Sequence, residues 1–279
     1  MSNNIFFERG QMADKPNSYL WNGDCLELMK DIPDKSMDAI ICDLPYGTTA
    51  CKWDSVIPFE PLWEQYKRVI KDNGAIVLFS AEPFTSNLIM SNTKEFKYRW
   101  TWNKIKASNH LNSRRQPLRC IEDICVFYKN QPTYNPQLRD RLKKNIRDPK
   151  KEYGKGNNKT YGETKQNYLF NSGREIPLEK GYPLDLLEFS QLGSFGNKRV
   201  HPTQKPLELL KYLVKTYTNE NDWVLDNTCG SNTTGIACYD LNRNYIGIEK
   251  DVNIYNVAKK RVEENILLRA NKPKTLFEQ

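Results

Sequence analysis

Residues 37–42, Met-Asp-Ala-Ile-Ile-Cys, are an apolar run of strand length, and the chain continues directly into Asp43-Leu44-Pro45-Tyr46. A near-continuous apolar run of this length is characteristic of a parallel strand covered on both faces. Sheets of that kind place their ligands just outside the carboxyl ends of their strands. The run therefore constrains the chain to an α/β fold with an acid, a backbone carbonyl and an aromatic ring side by side at a ligand-binding edge. Those groups suit a planar heterocycle carrying an exocyclic amino group. Such an amine is a poor nucleophile because its lone pair is delocalised into the ring. Two acceptors, the Asp43 carboxylate and the Leu44 carbonyl, can hold both of its hydrogens and favour a pyramidal nitrogen. Pro45 fixes its own φ and has no N–H, so the Leu44 carbonyl can be aimed at little entropic cost. Tyr46 offers a face for stacking, worth about 1–3 kcal/mol per base. As a bare tetrapeptide, the stretch reads equally well as a solvated turn at a strand end.

A second signal lies near the other end of the chain. Trp223-Val224-Leu225-Asp226 is a short apolar strand ending in an acid, followed by Asn227-Thr228-Cys229-Gly230-Ser231-Asn232-Thr233-Thr234-Gly235 and a helix-like Ile236-Ala237-Cys238. Small residues between strand and helix let backbone approach a ligand, and helix N-terminal N–H groups favour an anion. Asn244-Tyr245-Ile246-Gly247-Ile248-Glu249 then ends a further strand in an acid. An acid at about that distance after a glycine-containing turn commonly holds ribose hydroxyls. No Gly-x-Gly-x-x-Gly and no Gly-Lys-Ser/Thr is present, which argues against NAD and against a P-loop. Alone, the loop reads equally well as a tight βα turn.

Taken in order, Asp-Leu-Pro-Tyr, then His201-Pro202-Thr203-Gln204-Lys205-Pro206, then residues 225–234 resemble the S-adenosylmethionine-dependent amino-methyltransferases of DNA, in the permuted order of their β group. Matches run from Asn22 to about Val262. The resemblance implies a Rossmann-like fold: a mostly parallel twisted sheet with helices on both faces, an antiparallel edge and an inserted target-recognition region. Asp43, Leu44, Pro45 and Tyr46 would bind the flipped base. Asp24, Ser80, Glu82, Phe84, Lys205, Asp226, Thr228, Gly230, Ser231, Asn232, Thr233, Thr234 and Glu249 would hold the cofactor, with Glu249 on the ribose and Lys205 over the carboxylate. Asn232 stands where the family usually has glycine, and asparagine tolerates positive φ better than most residues. Leu44 stands where the family usually has proline, and only its carbonyl is needed. Asp at position 43 points to adenine, since cytosine members more often carry Ser there. Methylation of cytosine N4 and a catalytically silent nucleic-acid-binding module are the alternatives.

The 279-residue chain has a net charge of +8, which suits a polyanionic partner. Residues 139–180 hold 12 Lys and Arg against 6 Asp and Glu, with Tyr153, Tyr161, Tyr168 and Phe170 interleaved. On composition this stretch reads as a solvated loop. By its place between the two halves of the family pattern the resemblance implies that it is the DNA-contacting insert, with Lys143, Lys144, Lys155 and Lys159 as candidate contacts. Asn109, Arg114 and Arg115 lie in a second polar loop suited to phosphates. The expected organisation is a catalytic half (1–130), a recognition insert (131–198) and a cofactor half (199–279). The resemblance also suggests a dimer. Seven scattered cysteines without Cys-x-x-Cys spacing and only two histidines give the expectation of reduced thiols, a cytoplasmic location and no metal. No apolar run approaches membrane-spanning length.

Periodicity predicts strands at 19–22, 39–42, 75–79, 96–103 and 121–128, the last two as an antiparallel edge. Helices are predicted at 25–30, 61–70, 84–91, 207–218 and 252–268, with Asn73-Gly74 closing the second.

Overall fold

A computed structural model of the chain describes residues 5–6, 16–47, 54–141, 177, 179–190 and 204–270. The chain forms two compact units, residues 1–135 with 185–279, and residues 136–184. The second contains the short antiparallel pair β7 (Arg139–Asp140) and β8 (Lys180–Gly181). Residues 131–135 and 185–190 of the span expected for the insert belong instead to the first unit.

The first unit is organised on a sheet in the spatial order β1 (Ile5–Phe6), β2 (Ser18–Asn22), β11 (Asn244–Glu249), β10 (Trp223–Asp226), β3 (Met37–Asp43), β4 (Ile70–Ser80), β6 (Arg119–Phe127), β5 (Phe96–Ser108) and β9 (Leu186–Glu188). From β2 to β4 every pairing is parallel. Strand β6 runs antiparallel to both β4 and β5, as the sequence predicts for that edge.

The apolar runs bury both faces by simple alternation. Ile40, Cys42, Ile76, Leu78, Leu225, Ile246 and Ile248 face one core with Leu62, Trp63, Tyr66 and Val69 of α2 (Phe59–Val69) and Phe84 and Leu88 of α3 (Phe84–Ser91). Ala39, Ile41, Ala75, Val77, Val224 and Tyr245 face the other core. There they meet Leu209, Leu210, Leu213, Val214 and Tyr217 of α4 (Leu207–Tyr217) and Ala237 and Cys238 of α5 (Thr233–Asp240). The predicted helix at 25–30 is a four-residue helix, α1 (Cys25–Leu28), capped by the Asp24 side chain, then a 3-10 turn over Met29–Asp31. The last helix is α6 (Val252–Ala270).

Asn73-Gly74, which reads as the end of a helix, lies inside β4 instead. Strand pairing jumps from Met37↔Ile70 to Ala39↔Ala75, so residues 71–74 bulge. A Cβ at Gly74 would stand 2.6 Å from the Ile70 side chain and 2.9 Å from the Asp38 carbonyl oxygen. Glycine serves there for close approach within the bulge, not as a helix stop.

Leu225 is fully buried between β3 and β11. Leu225→Ala should lower unfolding free energy by about 2–5 kcal/mol in a urea titration.

Candidate active site

The order of strand succession reverses between the parallel strands β3 and β10: β3 leads through α2 to β4 on one side, and β10 leads through α5 to β11 on the other. The carboxyl ends of two such strands bound a crevice. Here the two ends are bonded together. The Thr228 hydroxyl donates to the Asp43 backbone oxygen at 3.0 Å. Tyr66 donates to the Asn227 amide oxygen at 2.6 Å, and the Cys42 thiol reaches the same oxygen at 2.8 Å. Residues 43–46 and the 226–234 loop accordingly line one cavity of about 670 Å³.

At the β3 end, Asp43 accepts a hydrogen bond from the Tyr46 hydroxyl at 2.7 Å on Oδ1, and Lys205 Nζ lies 2.8 Å from Oδ2. The carboxylate keeps 30 % of its side-chain surface exposed, but to a concave floor rather than to open solvent. Desolvation pushes its pKa up, and the Lys205 ammonium opposes that rise. The Tyr46 ring rests on Phe84 at 5.1 Å, and Phe84 on Phe59 at 5.7 Å, which fixes the ring as a cavity wall. The Leu44 side chain is buried in the core, so its backbone carbonyl is the group left for chemistry.

At the β10 end, Asp226 is 3 % exposed and accepts from Thr228 N at 3.2 Å; burial pushes its pKa up to about 7. Glu249 accepts from Gly230 N at 3.0 Å on one oxygen and from Asp251 N at 2.8 Å on the other. A carboxylate has about four lone-pair sites, so two remain for hydroxyl donors. Gly230 turns at φ +51°, the left-handed region that favours glycine, and a Cβ there would meet nothing within 4 Å. Asn232, the replacement for glycine, adopts φ 61° and ψ 40°, so the turn is kept. Arg261 of α6 clamps the loop, donating to Ser231 O at 2.7 Å and Thr233 Oγ1 at 2.8 Å. Asp24 pairs with Lys250 at 2.9 Å at the far lip.

Asp43, Leu44, Pro45, Tyr46, Asp24, Lys205, Asp226, Thr228, Gly230, Ser231, Thr233, Thr234 and Glu249 all line this cavity. Four other candidates do not. Ser80 is buried, accepting from Thr85 at 3.0 Å, and Glu82 caps the following turn through Ser86 at 2.9 Å. Phe84 stands behind Tyr46, and Asn232 shapes the turn from beneath. Lys205 lines the cavity at a different place from the one expected, because its ammonium joins Asp43 and, at 3.1 Å, Glu122. The opposite charge of two buried carboxylates draws it there. Glu122 is a cavity-lining residue that sequence reading missed; its signal was the acidic pair Glu122-Asp123 at the head of the apolar run 124–128.

Residues 37–260 match the model of the N6/N4 methyltransferase family described as DNA methylase. The chain belongs to that family. Among curated relatives it is 28 % identical over 251 residues to the type II methyltransferase M.HpaI of Haemophilus parainfluenzae, covering 86 % of this chain and 72 % of that one. It is 26 % identical to M2.MboI of Moraxella bovis, covering 90 % of both. The M1.HpyAVI–SAM complex superposes with a TM-score of 0.57 at 25 % identity, over 88 % of this chain and 98 % of that one. The cytosine-N4-specific PvuII DNA methyltransferase superposes with a TM-score of 0.62 at 16 % identity, over 92 % and 95 %, a likeness of fold. The architecture is thus the Rossmann-like methyltransferase fold.

The other DNA methylase candidates lie on the long β5–β6 hairpin or beyond the described residues. Asn109 turns the chain at φ 70° and accepts from the Asn112 amide at 2.8 Å; Arg114 and Arg115 are exposed beside it. Lys143, Lys144, Lys155, Lys159 and His201 lie outside the described residues. Among the described residues no group of three His, Cys, Asp or Glu could hold a metal ion, and no helix is long and apolar enough to cross a membrane.

An acid whose folded pKa exceeds its unfolded value binds protons more tightly when folded, so it favours folding at low pH. That contribution is lost as pH rises from about 4 through 7. Asp226→Asn should therefore flatten the fall in unfolding free energy between pH 5 and 8, measured by urea titration at each pH.

Proposed function

We propose that the chain is an adenine-N6 DNA methyltransferase that uses S-adenosylmethionine. The single observation that carries this reading is the joining of Asp43 and Thr228 across one cavity. That contact places an acceptor for an amino group beside the small-residue loop that a cofactor would need. The lining fits the cofactor: Glu249 has lone pairs free for ribose hydroxyls, buried Asp226 suits a cationic amino acid moiety, and Gly230 opens the loop backbone. When bound, S-adenosylmethionine supplies an electrophilic methyl carbon on a sulfonium.

The chain's own residues do the rest. The target adenine leaves the duplex at a cost of a few kcal/mol and stacks on Tyr46. Asp43 and the Leu44 carbonyl take its amino hydrogens and turn the nitrogen lone pair toward the methyl carbon. The amine loses its proton after transfer, when it is far more acidic, so Asp43 need not act as a base beforehand. Holding the reactants in line and dry can supply roughly 7–11 kcal/mol of barrier lowering. The carboxylate at position 43 supports adenine over cytosine; the fold likeness to a cytosine-N4 enzyme is neutral between them.

The β5–β6 hairpin supports duplex binding. Residues 103–119 carry Lys104, Lys106, Arg114, Arg115 and Arg119 and no acid. Because β6 runs against β4, with Ser80 opposite Asp123, the hairpin rises from the carboxyl edge that bears the cavity.

DNA incubated with protein and labelled donor, then digested to nucleosides, should contain N6-methyladenine; N4-methylcytosine in its place would overturn the base assignment. Asp43→Ala should lower kcat by about 10²-fold or more, with cofactor affinity within a few fold. Tyr46→Phe should retain more turnover than Tyr46→Ala. Changing Arg114 and Arg115 together to alanine should reduce the slope of log affinity against log salt by about two; an unchanged slope would place the phosphate contacts elsewhere.

A further inference from the structure

Beyond Asp43 and Tyr46, the base end of the cavity holds a buried chain of alternating charge. Lys104 Nζ lies 3.1 Å from Glu122 Oε1, Lys205 Nζ 3.1 Å from Glu122 Oε2, and Lys205 Nζ 2.8 Å from Asp43 Oδ2. The three inner side chains are 7 %, 14 % and 12 % exposed for Lys104, Glu122 and Lys205. A buried ion pair is rarely needed for stability, since apolar residues of similar volume often serve as well or better. This quartet therefore calls for another explanation.

Lys205 occupies ground that an incoming base needs. Its ammonium holds Asp43 Oδ2 while the Tyr46 hydroxyl holds Oδ1. It also lies 5.0 Å from the Phe79 ring centre, 5.8 Å from that of Tyr46 and 6.0 Å from that of Trp102. An ammonium against those faces and an amino-heterocycle stacked on Tyr46 compete for the same oxygen and the same walls. Glu122 Oε2 offers the alternative. Among the described residues its ion-pair partner is the Lys205 ammonium at 3.1 Å.

We propose that Glu122 is a positioning residue: it receives Lys205 when the target base enters, freeing the Asp43 oxygen that must accept the amino group. Without a base, the Lys205 ammonium offsets part of the desolvation of Asp43; with one, Lys205 withdraws to Glu122, which Lys104 holds in place. This inference rests on the amino-methyltransferase reading above and departs from the expectation that Lys205 covers the cofactor carboxylate.

The pH consequences have opposite signs for the two partners. The groups acting on Asp43 are Lys205 from the segment before α4, Glu122 from β6 and the Tyr46 hydroxyl from its own loop. Asp226 faces it from β10, and Asp54 lies on the Tyr46 side. Lys205→Met strips Asp43 of its ammonium while Glu122, still paired with Lys104, stays a like charge beside it, so the acid limb of the kcat profile should move up by about one unit or more. Glu122→Gln removes a neighbouring negative charge and leaves Lys205 to Asp43 alone. Its acid limb should move down, while KM for DNA rises about tenfold or kcat falls by as much. Glu122→Asp keeps the charge and should recover part of that loss.

The full-length chain and these three variants should be assayed from pH 5 to 9 on DNA that the wild type methylates. Affinity for S-adenosylhomocysteine, measured separately by calorimetry, should stay within about threefold throughout. Limbs that stay put, or that move in one direction for both charge-removing variants, would overturn the proposal. So would a tenfold loss of S-adenosylhomocysteine affinity in Lys205→Met, which would return Lys205 to the cofactor. Should Glu122→Gln fail to fold, Glu122→Asp decides: unchanged KM and kcat would overturn the proposal. A wild-type protein that methylates no DNA would defeat the functional reading itself, whereas an active wild type with unmoved limbs defeats only the role of Glu122.

Discussion

Two adjacent parallel strands can lead their connections away in opposite directions only by leaving a crevice between their ends. In this chain that crevice is held to one geometry by consecutive residues. Asn227 is tied to Tyr66 and Cys42 beneath it, and Thr228 is tied to the carbonyl of Asp43. Every later feature depends on this fastening. It fixes the distance between the Asp43–Tyr46 tetrapeptide and the 226–234 loop, whose joined residues Asp43 and Thr228 stand 185 positions apart in the chain.

Burial gives the crevice its chemistry. Asp43 and Asp226 both have raised pKa values, chiefly from desolvation, yet their surroundings differ. Asp43 has a lysine and a phenol for partners, whereas Asp226 has a backbone N–H and a hydroxyl. One carboxylate is thereby suited to meet a neutral amine and the other a cationic ligand. Placing both in one desolvated pocket strengthens their fields relative to water, and that suits a reaction in which orientation does most of the work.

Much of this was legible in the sequence for identifiable reasons. Strands buried on both faces write themselves as unbroken apolar runs, so β3, β4 and β10 could be read directly. Position in the fold then made Asp43, Asp226 and Glu249 strand-end acids. Gly74 misled, because a bulge and a helix stop use the same residue. Lys205 was found as a cavity residue, but its pairing with Asp43 and Glu122 was not, since sequence gives a residue's neighbours along the chain and not the carboxylates across it. Glu122 was missed for the same reason: an acid at the head of a strand reads as surface until Lys104 and Lys205 are seen beside it. Arg261 had no local signal at all, because its three bonds go to residues about 30 positions away.

In the proposed reaction a base amine and a cofactor methyl meet between Asp43 and Asp226. A structure of the protein with S-adenosylhomocysteine and a duplex it methylates tests this most directly. The proposed reaction requires an extruded adenine with its amino nitrogen in hydrogen-bond reach of Asp43 and the Leu44 carbonyl, its ring on Tyr46, and the cofactor along Asp226 and Glu249. An adenine still stacked in the duplex, or one extruded against a different surface, would contradict it.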